Sequence, residues 1–376
     1  MKDRQTTRRG LFATLGAVVL SVGLAGTLAA CSGQSTTSQE TTEQTTTEQS
    51  ATRIFTDSSG REVEIPTNVQ KVAVAGPPAQ QVMLTMDSSK LCGLATELTD
   101  AQKTYFGEDL ANLPVFGQIY GGKGDFNKEA VAEAAPDLII DIGEAKDTIV
   151  EDMDALQSDL NIPVIHIEAT LDSYDKVYQQ LGEILGEEER GNELAEYCKN
   201  AYDEVDSVMQ TIPEDQRVNV AYLLGDSGLN AIAKGSYQGS VVDFVANNVV
   251  VVEKASGAGM GQEVSLEQIA SFDPQMIVFG PNSIYDTVAS DPAWADITAI
   301  ANDNYYQVPG EPYNWLSSPP SVNQILGLQW FARVCYPDKF DTSATDVAKE
   351  YYKTFYNYDL SDQEVADLMK GATPNA

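Results

Sequence analysis

The chain has 376 residues, 43% of them hydrophobic, and is longer than one hydrophobic core usually supports, so at least two folding units are expected. Its formal net charge at pH 7 is −33, which makes nucleic acids and anionic lipid surfaces poor partners. A cationic or neutral ligand, or a basic patch on a membrane protein, suits this surface better, although solubility alone accounts for most of the charge.

Residues 1–31 predict an export signal rather than a part of the fold. Four basic residues precede an apolar stretch that runs from Leu11 to Ala30. The stretch ends in Leu-Ala-Ala-Cys31, which resembles the lipobox of bacterial lipoproteins and so implies a lipid anchor on Cys31 at the outer face of the cell membrane. An uncleaved membrane anchor is the alternative, because the stretch is long enough to span a bilayer. Thr7 to Phe12 also resembles a twin-arginine signal, so this route and the Sec route both stay open.

The next residues predict a tether followed by the first elements of an α/β fold. Residues 32–52 are Thr, Gln, Ser and Glu with almost nothing apolar, which is typical of a flexible tether. A β-hairpin is predicted over 53–65, a buried strand over 71–75 with a helix running from it to about Met86, and another strand over 91–95.

Two stretches of the chain repeat one pattern. Glu129 to Ile140 and Glu267 to Val278 both carry a glutamate, a β-branched residue, an alanine, a proline and an apolar run at the same offsets. Each copy predicts a short helix, a turn marked by the proline and a buried strand. The repeat indicates two lobes of similar build, since two copies are too few for a solenoid.

Between the two copies, apolar residues at helical spacing predict a pair of connecting helices over 172–213. Asp172 is the predicted N-cap of the first helix, Gly186 interrupts the pattern, and the second helix, from about Glu187 to Gln210, is roughly 35 Å long. The predicted fold is therefore α/β, with an N-terminal lobe at 53–171 and a C-terminal lobe at 214–376. Each lobe has a mostly parallel sheet flanked by helices, one long interdomain helix joins them, and a ligand cleft lies between them.

The second lobe is predicted to contain strands at 218–224 and 305–309. Its predicted helices cover 241–246, 291–302, 321–336, 345–355 and 361–369. The segment from Gly310 to Pro320 fits no regular structure.

Candidate ligand-binding residues lie in loops that follow apolar segments, because ligands of open α/β sheets bind beyond the carboxyl ends of the strands. The candidates are Tyr120, Lys123, Lys146, Met260, Tyr313, Asn314 and Trp315. All of them except Tyr120 have a structural alternative: the lysines as solvated loop tips, Met260 as a gap filler, and the last three residues as a packed loop over the sheet edge.

The chain has one histidine, His166, in an apolar strand, where a core residue is expected. A site for a bare transition metal is therefore not predicted, and no cofactor is expected. Cys92, Cys198 and Cys335 lie far apart in apolar contexts, so core thiols are expected, with one disulfide as the alternative.

The order and spacing of several phrases resemble a known family. The phrases are DSSGREVEIP, KVAVAG, NKEAVAEAAPDLIID, IPVIHIEA, SLEQIASFDPQMIVF and DPAWADITAIANDNYYQVP. They resemble the helical-backbone (class III) substrate-binding proteins of ABC importers, in the branch that serves iron-siderophores, haem and cobalamin. The resemblance implies a monomeric receptor that delivers a chelated metal to a permease and its ATPase. It also implies that Glu129 and Glu267, one in each lobe, dock on the permease.

Other functions remain as alternatives. A molybdate or tungstate receptor of the same fold would use backbone N–H groups and hydroxyls, such as those of Ser317 and Ser318, against the global negative charge. An extracytoplasmic enzyme is not favoured, because the sequence contains no G-x-S-x-G, no H-E-x-x-H and no P-loop. A surface adhesin is the third alternative.

Overall fold

The computed structural model describes residues 51–121, 125–254 and 259–373. The predicted export signal with Cys31, nearly all of the predicted tether and the candidate residue Lys123 lie outside these ranges. Within the described ranges, no helix is both long enough and apolar enough to cross a membrane.

The first lobe contains the predicted hairpin and a three-stranded parallel sheet. Its elements in chain order are β1 (Thr52–Thr56), β2 (Glu62–Pro66), β3 (Val72–Val74), α1 (Pro77–Asp87), α2 (Asp100–Phe106), α3 (Lys128–Ala134), β4 (Leu138–Gly143), α4 (Ile149–Leu160) and β5 (Val164–Glu168). β1 and β2 pair antiparallel, and β3, β4 and β5 pair in that order, all parallel. The predicted strand at 91–95 is wrong, because Leu91 and Leu94 make only single bridges, to Val72 and Val115.

Two helices follow the first lobe, as predicted. They are α5 (Tyr174–Leu185) and α6 (Glu188–Met209), and the 22 residues of α6 span about 33 Å. Gly186 ends α5 with a φ of 72°, in the left-handed region that glycine adopts without strain. The predicted N-cap was wrong by one residue: Ser173 precedes α5, and the carboxylate of Asp172 accepts a hydrogen bond from Thr170 instead.

The second lobe contains a six-stranded mixed sheet. Its elements in chain order are β6 (Asn219–Leu224), β7 (Asn230–Ala231), α7 (Ser240–Val245), β8 (Asn247–Asn248), β9 (Gln262–Glu263), α8 (Leu266–Phe272), β10 (Met276–Phe279), α9 (Tyr285–Val288), α10 (Thr298–Ala301), β11 (Tyr305–Gln307), α11 (Asn323–Cys335), α12 (Ala344–Tyr356) and α13 (Asp362–Leu368). β8, β10 and β11 run parallel to β6, and β7 pairs with β6 antiparallel. The helix predicted over 291–302 is confirmed only in its last turn, α10; the buried Trp294 lies in the turns before it.

The repeated sequence pattern produces the same local structure in both lobes. α3 and β4 in the first lobe correspond to α8 and β10 in the second. Both helices end at a residue in the left-handed region, Ala135 with φ 47° and Asp273 with φ 48°, directly before Pro136 and Pro274. A proline at this point prevents the helix from continuing, so the chain turns back at once into the strand.

Both sheets pack one face against a common layer of helices. Alternate side chains of a strand point to opposite faces, so each of the strands β3, β4, β5, β6 and β10 contributes to two cores. The residues of these five strands in the common core are Val72, Val74, Leu138, Ile140, Ile142, Ile165, Ile167, Val220, Tyr222, Leu224, Met276 and Val278. Their residues on the outer faces are Ala73, Ile139 and Val164 in the first lobe and Ala221, Leu223, Ile277 and Phe279 in the second. Because α1, α5, α6, α11 and α12 all contribute to the common core, the described residues form one compact unit.

α5 and α6 pack closely at two glycines. A Cβ atom on Gly191 would lie 2.6 Å from the carbonyl oxygen of Tyr178 and 2.9 Å from the Cα atom of Gly182. Contacts this short with backbone atoms force one helix away from the other.

We expect Gly191→Ala to lower the free energy of unfolding by about 1–2 kcal/mol. Overpacking of this kind costs about 1–3 kcal/mol, and the better helix propensity of alanine returns up to about 1 kcal/mol. Urea denaturation measures the difference. Gly259→Ala is the control, because a Cβ atom there meets no atom within 4 Å. Equal denaturation midpoints for the two variants would contradict the close packing.

Candidate functional site

The carboxyl ends of the two sheets lead into loops that meet between the lobes. β3 leads directly into α1, and the Pro78 carbonyl in the first turn of α1 accepts a hydrogen bond from Ser321 Oγ of the second lobe at 3.0 Å. Gln102 Nε2, in α2, donates to the carbonyl of Pro312 at 3.2 Å, in the loop after β11. The region between the strand ends of the two lobes is therefore the place where a ligand of this α/β fold would bind.

Tyr237 joins the two lobes in this region. Its hydroxyl donates to the carbonyl oxygen of Ala169, directly after β5, at 2.7 Å. Burial raises the pKa of Tyr237 well above its ordinary value, and the negative charges of Glu144, Asp141 and Glu168 raise it further. The hydroxyl of this second-lobe side chain thus lies at the carboxyl end of β5, in the electrostatic field of first-lobe carboxylates.

The structure places two of the predicted ligand-binding residues at the same end of the first sheet. The hydroxyl of Tyr120 donates to Asp152 Oδ2 at 3.0 Å, and burial, this hydrogen bond and the charge of Asp141 all raise its pKa. Lys146, in the loop after β4, forms an ion pair with Glu144. Tyr120 and Lys146 remain predicted ligand contacts, and both already bind carboxylates of their own lobe.

The predicted residues in the loop after β11 are used to build the loop. Asn314 Oδ1 accepts hydrogen bonds from the backbone N–H groups of Leu316 and Ser317, and its Nδ2 donates to the Tyr222 hydroxyl at 2.9 Å. Trp315 is buried edge-to-face against Trp330, with ring centroids 6.2 Å apart. These contacts correspond to the packed-loop alternative.

Tyr313 and Met260 differ sharply in exposure. Tyr313 is 7% exposed and lies 6.3 Å, centroid to centroid, from Phe106 of the first lobe. Met260, two residues before β9, is 58% exposed and lies beyond the core. Both stay predictions as ligand contacts.

His166 lies in the core of the first lobe, as predicted. Its side chain is fully buried, Nδ1 is 2.7 Å from Asp141 Oδ2, and Nε2 makes no hydrogen bond to the described residues. Asp57 accepts a hydrogen bond from the backbone N–H of His166 and pairs with Arg61 at 2.9 Å. Among the residues of the described ranges, no group of three or more His, Cys, Asp or Glu side chains is arranged to hold a metal ion.

The three cysteines in the described ranges are free thiols. Cys198 is buried, and Cys92 and Cys335 are partly buried. Burial raises the pKa of Cys92 to about 11, so its reactive thiolate form is scarce at neutral pH.

Glu129 and Glu267 occupy equivalent exposed positions. Each is the second residue of its helix, α3 or α8. The N-cap side chains, Asn127 and Ser265, each accept a hydrogen bond from the backbone N–H of the residue directly after the glutamate. Because each helix turns back into its strand, its N-terminus lies toward the carboxyl end of the sheet. The backbone N–H of Glu267 and the Ser265 hydroxyl lower the pKa of Glu267. Both carboxylates therefore lie on the side of their lobe where the strands end.

The sequence reasoning missed Tyr237, Glu144 and Glu168 as residues of this site. Glu168 is the last residue of β5, and Glu144 directly follows β4, so strand-end position was the available signal. Tyr237 lies in a single 3-10 turn before α7, and its partner Ala169 is 68 positions away. No local pattern indicates such a contact.

A family model described as a periplasmic binding protein matches residues 107–312, which is more than half of the 376 residues. The chain therefore belongs to the periplasmic binding protein family, which confirms the resemblance found in the sequence.

Relatives and solved structures agree with this family. The Fe(3+)-citrate-binding protein YfmC of Bacillus subtilis (strain 168) is 24% identical over 296 residues, covering 75% of this chain and 84% of that protein. An ABC transporter solute-binding protein from Sulfurospirillum deleyianum superposes with a TM-score of 0.77 at 29% identity, over 85% of this chain and 99% of that one. The molybdate-binding MolA of Haemophilus influenzae, at 21% identity, shares the fold with a TM-score of 0.65, over 82% of this chain and 99% of that one.

The chain is the substrate-binding component of an ABC transporter. It works on the extracytoplasmic side with a permease and its ATPase, and it is a transport protein rather than an enzyme. The predicted two-lobed α/β fold is confirmed.

We expect Tyr237→Phe to lower the free energy of unfolding by about 1–2 kcal/mol, because the buried Ala169 carbonyl loses the hydrogen bond that joins the lobes. Chemical denaturation of the ligand-free protein measures this. Tyr306→Phe is the matched control, because the half-buried Tyr306 hydroxyl makes no hydrogen bond to the described residues. If Tyr237→Phe is as stable as the control, the interlobe hydrogen bond contributes nothing.

Proposed function

We propose that the protein captures a metal chelate of the iron-siderophore, haem or cobalamin type between its lobes and delivers it to the permease. The observation that carries this proposal is the meeting of both sets of strand ends around Tyr237, in a chain similar to a ferric-citrate-binding protein. The common helical core supports a largely pre-formed site, which suits a rigid ligand with a defined shape.

The metal in this proposal arrives already chelated. The only histidine of the chain is buried against Asp141 and takes part in the fold. Tyrosine rings and backbone groups near the strand ends suit the organic surface of a chelate, because aromatic side chains give large contact areas at small entropic cost.

A ligand screen tests the proposal. The purified protein is titrated with ferric citrate, a ferric trihydroxamate, haem and a corrinoid, and thermal shift and calorimetry report binding. We expect one chelate class to bind at one equivalent with a Kd below about 10 µM, or −7 kcal/mol. Silence from all four at high micromolar concentration would refute the proposed ligand class. A response to molybdate alone would favour the oxyanion alternative.

Docking on the permease is the second part of the proposal. Glu129 and Glu267 are exposed at equivalent positions, one in each lobe, where two arginine-rich patches of a permease would find a matching pair of charges. Charge pairs of this type contribute orientation and association rate more than affinity.

We expect the double variant Glu129→Arg, Glu267→Arg to bind ligand normally and to lose uptake by at least about tenfold, because like charges would then meet at the permease. Uptake is measured in cells that express the permease and no other copy of the receptor. Glu133→Arg, one turn further along α3, is the control. Normal uptake by the double variant, or lost ligand binding, would contradict the docking role.

We propose that the protein is a monomer and that lipid on Cys31 anchors it to the membrane. The anchor would keep the receptor near the permease. Because a single acyl chain binds a membrane only weakly, stable attachment requires a second anchoring signal. Partition of the full-length protein between membrane and soluble fractions in the uptake experiment reports whether the anchor is present.

A further inference from the structure

The loops after the parallel strands carry an unusual balance of charge. Six described loops follow β3, β4, β5, β6, β10 and β11, at 75–76, 144–148, 169–173, 225–229, 280–284 and 308–322. They contain five acidic residues, Glu144, Asp147, Asp172, Asp226 and Glu311, and a single basic one, Lys146. Lys146 is paired with Glu144, so the described strand-end loops carry a net charge of −4 and no basic side chain without an acidic partner.

The arginines of the described ranges are occupied elsewhere in the fold. Arg53 pairs with Glu183, and Arg61 pairs with Asp57 and Asp154. The other three donate to backbone carbonyls: Arg190 to Thr85 and Thr354, Arg217 to Phe244, and Arg333 to Gln329 and Thr342. None of the five lies in a strand-end loop, so bidentate guanidinium contacts to a carboxylate or catecholate ligand are not available from them.

Two carboxylates border the space between the lobes beside Tyr237: Glu144 of these loops, and Glu168, the last residue of β5. This second-lobe side chain reaches Ala169 of the first lobe, and the charges of Glu144 and Glu168 both act on its phenol. Both residues are exposed to solvent, and they lie at the carboxyl ends of the adjacent strands β4 and β5. A ligand held between the lobes beside Tyr237 therefore meets their negative field.

We propose that Glu144 and Glu168 are specificity-determining residues that make this receptor favour chelates of net positive charge and reject anionic ones. This rests on the proposed function and deepens it, because it selects among chelates by charge. It also predicts that this protein rejects ferric citrate, the ligand in the name of its Bacillus subtilis relative, because ferric citrate is anionic.

A charge series on one chelate tests the inference. The probes are a linear ferric trihydroxamate with its terminal amine free, acetylated or succinylated, so that the net charge is +1, 0 or −1 on one framework. We expect affinity to fall in that order, by about tenfold per charge at low salt, and the differences to shrink at 0.5 M salt. Calorimetry or fluorescence quenching gives the three dissociation constants.

The variants Glu144→Gln and Glu168→Gln should each reduce the preference for +1 over −1 by about tenfold and leave binding of the neutral probe nearly unchanged. Glu214→Gln is the matched control, because this exposed glutamate precedes β6, at the opposite end of the sheet. Unchanged circular dichroism and thermal midpoints show that the variants are folded.

The outcomes separate the inference from the proposed function. A flat or reversed charge order, an unchanged charge preference in both Glu144→Gln and Glu168→Gln, or tighter binding of ferric citrate overturns the charge selection while the receptor role stands. Silence of all three probes where another chelate binds also overturns it. If no chelate of any class binds, the proposed function itself fails.

Discussion

The arrangement of the two sheets depends on one layer of helices, against which both sheets pack. α5 and α6 pack backbone to backbone at Gly182 and Gly191, and α11 of the second lobe packs against α6. Each large apolar side chain buried in this layer contributes about 1.5–3 kcal/mol, so separating α11 from α6 would lose several such contributions at once. The core therefore fixes the distance between the two sets of strand ends, and a ligand has to match that distance.

The same layer is held together at the end remote from the strand ends. Arg190, in the first turn of α6, donates through Nη2 to the carbonyl oxygens of Thr85 at 3.0 Å and Thr354 at 2.8 Å. These carbonyls lie in the last turns of α1 and α12, where the partial negative charge of a helix is found. The guanidinium of Arg190 thus joins α1 of the first lobe to α12 of the second lobe. A cavity of about 580 Å³ lies beside it, at the far end of α1 from Tyr237.

The sequence predicted those parts of the fold that local patterns determine. The repeated helix, proline and strand were found in both lobes because the proline and the apolar run act within a few residues. The strand predicted at 91–95 failed because apolar residues also line an irregular segment that only touches the sheet. In the loop after β11, aromatic and amide residues suited a ligand site and a packed loop equally. In the structure Asn314 bonds to Tyr222, which lies 92 positions away in the sequence, and no local pattern indicates such a partner. Tyr237 was missed for the same reason, since its role depends on a contact with another lobe.

The hydroxyl groups of the two tyrosines near the strand ends are already used. Tyr120 donates to Asp152 and Tyr237 donates to the carbonyl of Ala169, so neither phenol has its proton free for a ligand. What each can still offer is its aromatic ring and the remaining lone pairs of its oxygen. Rings and lone pairs attract positive charge, through cation–π contacts and as acceptors, and both tyrosines lie in the field of Asp141. The tyrosine rings and oxygens and the carboxylates around them therefore all favour a positively charged ligand. A chelate that presents an ammonium group to this surface meets carboxylates and phenol oxygens, whereas one that presents carboxylates meets no unpaired basic side chain in the described strand-end loops.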